Sequence, residues 1–207
     1  MKIQTVVVGK LLNNTYIVTS EKGNAIIIDP GMEFDKIEAA LSASGACLKY
    51  IIFTHGHYDH TASAYDLVEK TGAKLVIGSR DAEMLEDTDK SMSWMFTNHP
   101  HTLKADIEVE DGDTLSLDEL EFKFVLTPGH SKGSMVILCE DVMFSGDTVL
   151  ERSVGRTDFY GGNEAFMIQS IKKLAALSKN YRILAGHGDA TTLEDEKQHN
   201  PYFIEYA

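Results

Sequence analysis

The sequence predicts an α/β protein built in layers, with two sheets covered by helices. Three observations carry that expectation. Short β-branched-rich runs recur along the 207 residues, and several are apolar at every position, as strands buried on both faces are. Single helical patterns alternate with groups of strands, which fits helix–sheet–sheet–helix layers better than a strict βαβ repeat. No internal repeat or linker divides the chain, so one domain over 1–207 is expected.

Lys2–Val8, Thr15–Thr19 and Ala25–Ile28 read as a three-stranded meander separated by Asn, Gly and Lys turns. Asp29-Pro30-Gly31 stops the third strand, and a helix follows near Asp35–Ser44, closed by Gly45. Tyr50–Phe53 is a continuous apolar run. After a His-rich loop come a helix near Ala62–Lys70, closed by Gly72, and a second buried strand, Lys74–Ile77. Residues Ser79–Ala105 have no clean period. Met84, Met92, Trp94, Met95 and Phe96 there read as packing residues, although a long aperiodic stretch is also the usual form of a functional loop. Further strands are Thr114–Leu117, Leu120–Leu126, Ser134–Cys139 and Val142–Phe144. The stripe Met167, Ile171, Leu174 and Ala175 marks a helix near Asn163–Ser178. Arg182–Ala185 reads as the last buried strand, with a short acidic helix after Thr192.

Composition narrows the function. The chain carries 19 Lys+Arg against 32 Asp+Glu, a net charge of −13. Phosphate contacts need clustered Lys and Arg, and no such run exists, so neither nucleic acid nor anionic membrane is expected as the main partner. No apolar stretch approaches the roughly 18 residues of a membrane span. Cys47 and Cys139, flanked by apolar residues and outside any Cys-x-x-Cys pattern, are expected to be buried, reduced thiols. The N-terminus reads as a strand rather than a targeting signal, and a cytoplasmic protein acting on a small molecule is the expectation.

The chemistry concentrates in Thr54-His55-Gly56-His57-Tyr58-Asp59-His60, directly after a buried strand. Three imidazoles and a carboxylate buried together need partners, and a first-row metal supplies them, since imidazole nitrogen and carboxylate oxygen are its ligands. If the loop leaves the strand extended, His55 and His57 point the same way and can share one ion. Asp59 and His60, beyond the turn, can reach a second. His130, Asp147 and His187 follow the same pattern, each placed beside Gly where an apolar strand ends. Gly lets the backbone approach a metal closely. His187 alone could equally be a turn residue, but seven ligand-type residues are enough for two ions. His99 and His101 flank Pro100 with no strand leading into them and read as surface residues, as does His199.

In this order and spacing, His55-x-His57-x-Asp59-His60, His130, Asp147 and His187 resemble the metallo-β-lactamase superfamily of binuclear metallohydrolases. The resemblance implies an αββα four-layer sandwich, two mixed sheets flanked by helices. It also implies that His55, His57 and His130 hold one divalent ion, that Asp59, His60 and His187 hold another, and that Asp147 bridges them. Within the superfamily the chain is most similar to the glyoxalase II-like group (hydroxyacylglutathione hydrolases). Asp29-Pro30-Gly31, Glu110-Asp111-Gly112-Asp113, Pro128-Gly129-His130-Ser131 and Gly146-Asp147-Thr148 carry that likeness. Gly155-Arg156-Thr157-Asp158 followed by Tyr160-Gly161-Gly162 resembles its short, single-domain bacterial members. Full-length glyoxalase II has a further C-terminal helical domain that helps hold glutathione; only 20 residues follow His187 here, so that domain is not expected.

The implied activity is hydrolysis of a thioester, S-acylglutathione or a related small molecule, by attack of a hydroxide bridging two ions. Zinc leads as the metal, with iron or manganese as alternatives. Asp59 and Asp147 are the expected catalytic residues, Asp59 orienting the hydroxide through an unligated oxygen. Arg156 and Tyr160 are assigned to substrate binding by the same resemblance, the alternative for Arg156 being an ion pair with Asp158. A mononuclear-iron persulfide dioxygenase and a lactonase share the fold and the ligand residues. True β-lactamases of this superfamily lack the bridging Asp, so Asp147 and His60 speak against antibiotic hydrolysis. A closed structural zinc site would be four-coordinate and often Cys-rich, which this ligand set is not.

Overall fold

In the computed structural model, which describes residues 1–207, the N-terminal meander forms as β1 (Lys2–Val8), β2 (Asn13–Thr19) and β3 (Asn24–Ile28), paired antiparallel. β4 (Cys47–Ile52), β5 (Lys74–Gly78) and β6 (Ile107–Val109) extend the same sheet in parallel, giving the order β1-β2-β3-β4-β5-β6. The second sheet comprises β7 (Thr114–Leu117), β8 (Leu120–Leu126), β9 (Met135–Cys139), β10 (Val142–Gly146), β11 (Arg182–Ala185) and β12 (Thr191–Thr192), in the order β12-β11-β10-β9-β8-β7. Only its β10–β11 pair is parallel.

Side-chain alternation turns these two sheets into four layers. Ile26 and Ile28 of β3 join Phe122, Phe124, Ile137 and Phe144 between the sheets. The intervening Ala25 and Ile27 face outward, onto Ile37 and Leu41 of α1 (Phe34–Ser44). The second sheet repeats the scheme: Val136, Leu138 and Met143 pack against Met167, Ile171 and Leu174, the stripe the sequence marks for a helix. Each such side chain contributes about 1.5–3 kcal/mol relative to exposure, so three apolar interfaces, not helix propensity, hold the layers. The architecture is the αββα sandwich implied by the resemblance.

The helices start and stop on local chemistry. Gly45 closes α1 with a left-handed φ of 67°. The helix expected over Ala62–Lys70 is two pieces, α2 (Tyr58–Thr61) and α3 (Ala64–Thr71). Ser63 separates them because its N–H and hydroxyl are taken by the carbonyls of Pro30 and Gly31. A short α4 (Ala82–Glu86) and a 3₁₀ turn, Ser93–Met95, lie inside the aperiodic segment. Asn163 caps α5 (Glu164–Ala175) by accepting from the Phe166 N–H. Thr192 and Asn200 do the same for α6 (Leu193–His199) and α7 (Pro201–Tyr206). No helix is long and apolar enough to cross a membrane.

Several boundaries differ from the sequence expectation. Asn13 and Asn14 belong to β2 rather than to a turn. The three-residue β6 lacks a sequence signal because its central Glu108 is exposed. Cys139 is buried, but Cys47 is exposed, since it begins β4 at the strand's outer end, with its side chain directed away from the core.

Candidate metal centre

Loops at strand ends in both sheets converge on one point. Phe53 and Thr54 continue β4, and Thr54 is pinned by Asp29, whose carboxylate accepts from the Thr54 N–H at 2.7 Å and its hydroxyl at 2.6 Å. This fixes the exit of the chain toward His55 and His57, after which α2 carries Asp59 and His60. His130 follows β8, Asp147 follows β10, and His187 follows β11. The turn at Gly146, with φ 49°, presses its backbone against the Thr54 side chain, where a Cβ has no room. Asn14 holds the β11 loop by donating its amide to the Ala185 and Gly188 carbonyls.

All seven sequence-selected residues meet there. His55, His57 and His130 form one group whose ligand atoms lie within 4.8 Å of each other, and Asp59, His60 and His187 form another. His57 Nδ1 is 2.8 Å from His130 Nε2, and His60 Nε2 is 3.3 Å from His187 Nε2. The Asp147 carboxylate stands between the groups, Oδ1 3.6 Å from His60 Nε2 and Oδ2 3.6 Å from His130 Nε2. Asp59 Oδ2 is 3.3 Å from His187 Nε2.

A surrounding set of contacts orients the imidazoles. His60 Nδ1 lies 3.0 Å from Asp29 Oδ2, His130 Nδ1 2.8 Å from the Arg156 carbonyl, and His187 Nδ1 2.9 Å from the Leu11 carbonyl. These acceptors fix the proton on Nδ1 and leave Nε2 facing the cluster. The Asn13 side-chain nitrogen also lies 3.0 Å from His60 Nδ1, while its oxygen accepts from the Thr15 hydroxyl at 3.4 Å. Asp29 falls within ligand distance of His55 and His60 as well, but its oxygens already serve Thr54 and His60, so it supports the centre rather than joining it.

Charge is distributed unevenly over the cluster. Burial depresses His57 to about 3 and His55 well below its ordinary value, and the neighbouring imidazoles add to this. Burial would depress His60 too, but Asp59, Asp147 and Asp29 outweigh it and push it up to about 10. Asp59 moves the other way: burial opposes its ionisation, yet His60 and His187 hold it well below the carboxylate range. The pocket thus favours positive charge on the His60 side.

The donor set fits divalent ions. His55 Nε2, His57 Nε2 and Asp147 Oδ1 are buried without any hydrogen-bond partner, and an orphaned buried group costs about 1–3 kcal/mol. Cations held by the two groups would satisfy inward-facing acceptors that the protein itself leaves bare.

The centre floors a cavity of about 440 Å³. Met92, Met95 and Phe96 form part of its wall, so this stretch is not purely packing; Met84 and Leu85 are the members that enter the core. Arg156 lines the cavity while paired to Asp158 at 2.6 and 2.7 Å. Tyr160 is not a lining residue; its hydroxyl donates to Glu83 and accepts from Lys132. His99, His101 and His199 are exposed and apart from the cluster. Sequence reasoning passed over Asp81, which is fully buried and accepts from the Gly56 N–H, the Ser131 hydroxyl and the Gly133 N–H. It ties the His55 loop to the His130 loop.

This fold and this His/Asp cluster define a metallohydrolase of one class, and residues 8–187 match the model of the metallo-beta-lactamase superfamily, to which the chain belongs. It is 30% identical over 207 residues to a protein of Haemophilus influenzae named hydroxyacylglutathione hydrolase GloC, covering 98% of each chain. Among solved structures it resembles BLEG-1, described as a B3 metallo-beta-lactamase, with a TM-score of 0.91 and 28% identity over 98% of this chain and 99% of that one. It also resembles TTHA1623 in a di-iron-bound form, with a TM-score of 0.85 and 31% identity over 96% and 99%.

Proposed function

We propose that this metal-dependent hydrolase acts on small thioesters through a binuclear centre. The observation that carries the reading is the Asp147 carboxylate lying between two three-residue groups, 3.6 Å from His130 of one and 3.6 and 3.7 Å from His60 and His187 of the other. In this reading His55, His57 and His130 would hold the first ion and Asp59, His60 and His187 the second, with Asp147 placed to serve either. Zinc is the proposed metal, and the di-iron form of TTHA1623 makes iron the alternative. When bound, the ions supply Lewis acidity, lowering the pKa of water toward neutrality and polarising a carbonyl.

The chain's own residues supply the remaining functions. Asp59 lines the cavity and stays ionised, so its Oδ1, the oxygen not turned toward His187, is assigned to accept a hydrogen bond that orients the attacking water. The Asp29, Arg156 and Leu11 contacts keep three imidazoles in one tautomer. No Lys, Tyr or Cys lines the cavity to act as general acid, which suits a thiolate leaving group that departs without a proton. The relative named hydroxyacylglutathione hydrolase supports the thioester class.

Elemental analysis of protein purified without added metal, paired with S-lactoylglutathione hydrolysis, tests this. Two ions per chain with turnover is the expected result. About one iron per chain, no turnover and oxygen uptake with a persulfide would replace hydrolase with dioxygenase. The likeness to BLEG-1 favours β-lactam hydrolysis as a second reading; turnover of a chromogenic cephalosporin in place of the thioester would establish it.

A further inference from the structure

We infer that the cavity selects thioesters by an apolar acyl chain rather than by a charged carrier; the inference rests on the hydrolase reading of the same site. Beyond the metal-facing residues, the lining is mainly apolar: Leu11, Met92, Met95, Phe96, Leu150 and Phe159. Leu11 and Met95 are 52% and 53% exposed, so the apolar wall runs out to the surface and gives a chain a continuous path inward. Methionine and phenylalanine there offer a deformable, polarisable surface suited to aliphatic groups.

The charges point the same way. Arg156 is the one Lys or Arg lining the cavity. Its Nε and Nη2 donate to Asp158, and its carbon lies 3.8 Å from the centre of the Phe159 ring. Lys90 and Lys132, on the neighbouring rim, are both paired with Glu83. A carrier with two carboxylates, such as glutathione, would have to compete with Asp158 and Glu83 for these three cations. It would also approach a chain of net charge −13. An aliphatic chain asks for none of this and gains from leaving water.

The holoenzyme decides the matter with two series of ligands. In the first, kcat/KM is measured for N-acetylcysteamine thioesters from acetyl to octanoyl, with S-lactoylglutathione beside them. The expected gain is up to about fourfold per methylene until the chain outgrows the cavity, the equivalent of burying one CH₂. The longer acyl groups should exceed S-lactoylglutathione. In the second, binding of non-hydrolysable S-alkyl-N-acetylcysteamine thioethers is followed by the emission of Trp94, the chain's one tryptophan, next to Met95. Affinity should rise with alkyl length, and the double substitution Met92→Ser, Met95→Ser should flatten both slopes. A slope compares ligands within one enzyme, so a merely weakened fold leaves it unchanged. Hydrolysis of S-lactoylglutathione with flat acyl and alkyl series would overturn the inference and leave the hydrolase reading standing. Length-dependent alkyl binding without turnover of any thioester would uphold the apolar cavity and remove the thioesterase reading.

Discussion

Replacing Asp29 with Asn tests how far the centre depends on a residue that holds no ion in this reading. The carboxylate accepts three contacts, from the Thr54 N–H at 2.7 Å, the Thr54 hydroxyl at 2.6 Å and His60 Nδ1 at 3.0 Å. Asn tolerates the left-handed backbone that Asp29 adopts, φ 50°, and its oxygen keeps the Thr54 N–H satisfied. The Thr54 hydroxyl can turn from donor to acceptor, so the fold should lose only about 1 kcal/mol, one ordinary hydrogen bond. At His60 the change is sharper. An amide N–H in place of the carboxylate oxygen draws a lone pair to Nδ1, moves the proton to Nε2 and points it at the cluster. Loss of such an orienting partner typically weakens metal affinity about 10–100-fold. The expected outcome is one ion lost at far lower chelator concentration than in the wild type, with a nearly unchanged melting temperature. If Asp29→Asn retains both ions at wild-type affinity, the tautomer argument is wrong.

Further expectations follow from the same geometry. In Gly186→Ala the new Cβ would overlap Asp147 Oδ1 and lie 2.7 Å from His60 Cε1. A displacement of that kind can cost about 100-fold in rate with little change in circular dichroism, and wild-type turnover would show that Asp147 has room to move. Asp59→Ala should lose far more activity than metal content; equal losses would remove its assigned role in orienting the attacking water. Glu83 is held down to about 2 by Lys90, Lys132 and the Tyr160 hydroxyl. A depressed carboxylate stabilises above its ordinary pKa near 4.5 and ceases to do so as pH falls toward 2. Protection factors for hydrogen exchange over residues 82–96, corrected for the intrinsic pH dependence of amide exchange, should therefore fall across that interval, and in Glu83→Gln already at pH 7. Wild-type exchange in the Gln variant would show that this network does not hold the wall.

The parts of the site legible in the sequence are those whose signal is local. His55, His57, Asp59 and His60 share six residues after an apolar strand, where burial without a partner is too costly to be accidental. His130, Asp147 and His187 are legible only through the Gly beside each, and through joining the first group. Asp81 gave no signal: its three donors belong to residues 25, 50 and 52 positions away, and Ser79-Arg80-Asp81 by itself is an ordinary turn. Asn13 and Asn14 carry turn chemistry by type, and only the completed sheet sets them against the His60 and His187 loops. The layers were readable because alternation along β3 assigns its side chains to two different interfaces. Met92 and Phe96 were ambiguous because the same apolar side chains can fill a core or line an open cavity.

Asp81 sits at a junction, and its position has a mechanical consequence. The residue after it opens α4, from which the Met92–Phe96 wall continues, while its own carboxylate is fastened to loops from both sheets. Asp81 therefore stands between the loops that carry the imidazoles and the segment that forms the wall. The carboxylate fixes the His55 and His130 loops through its own hydrogen bonds, independently of the side chains that face the cavity from the wall. Divergence within residues 82–96 can likewise retune what is admitted without disturbing what is done to it.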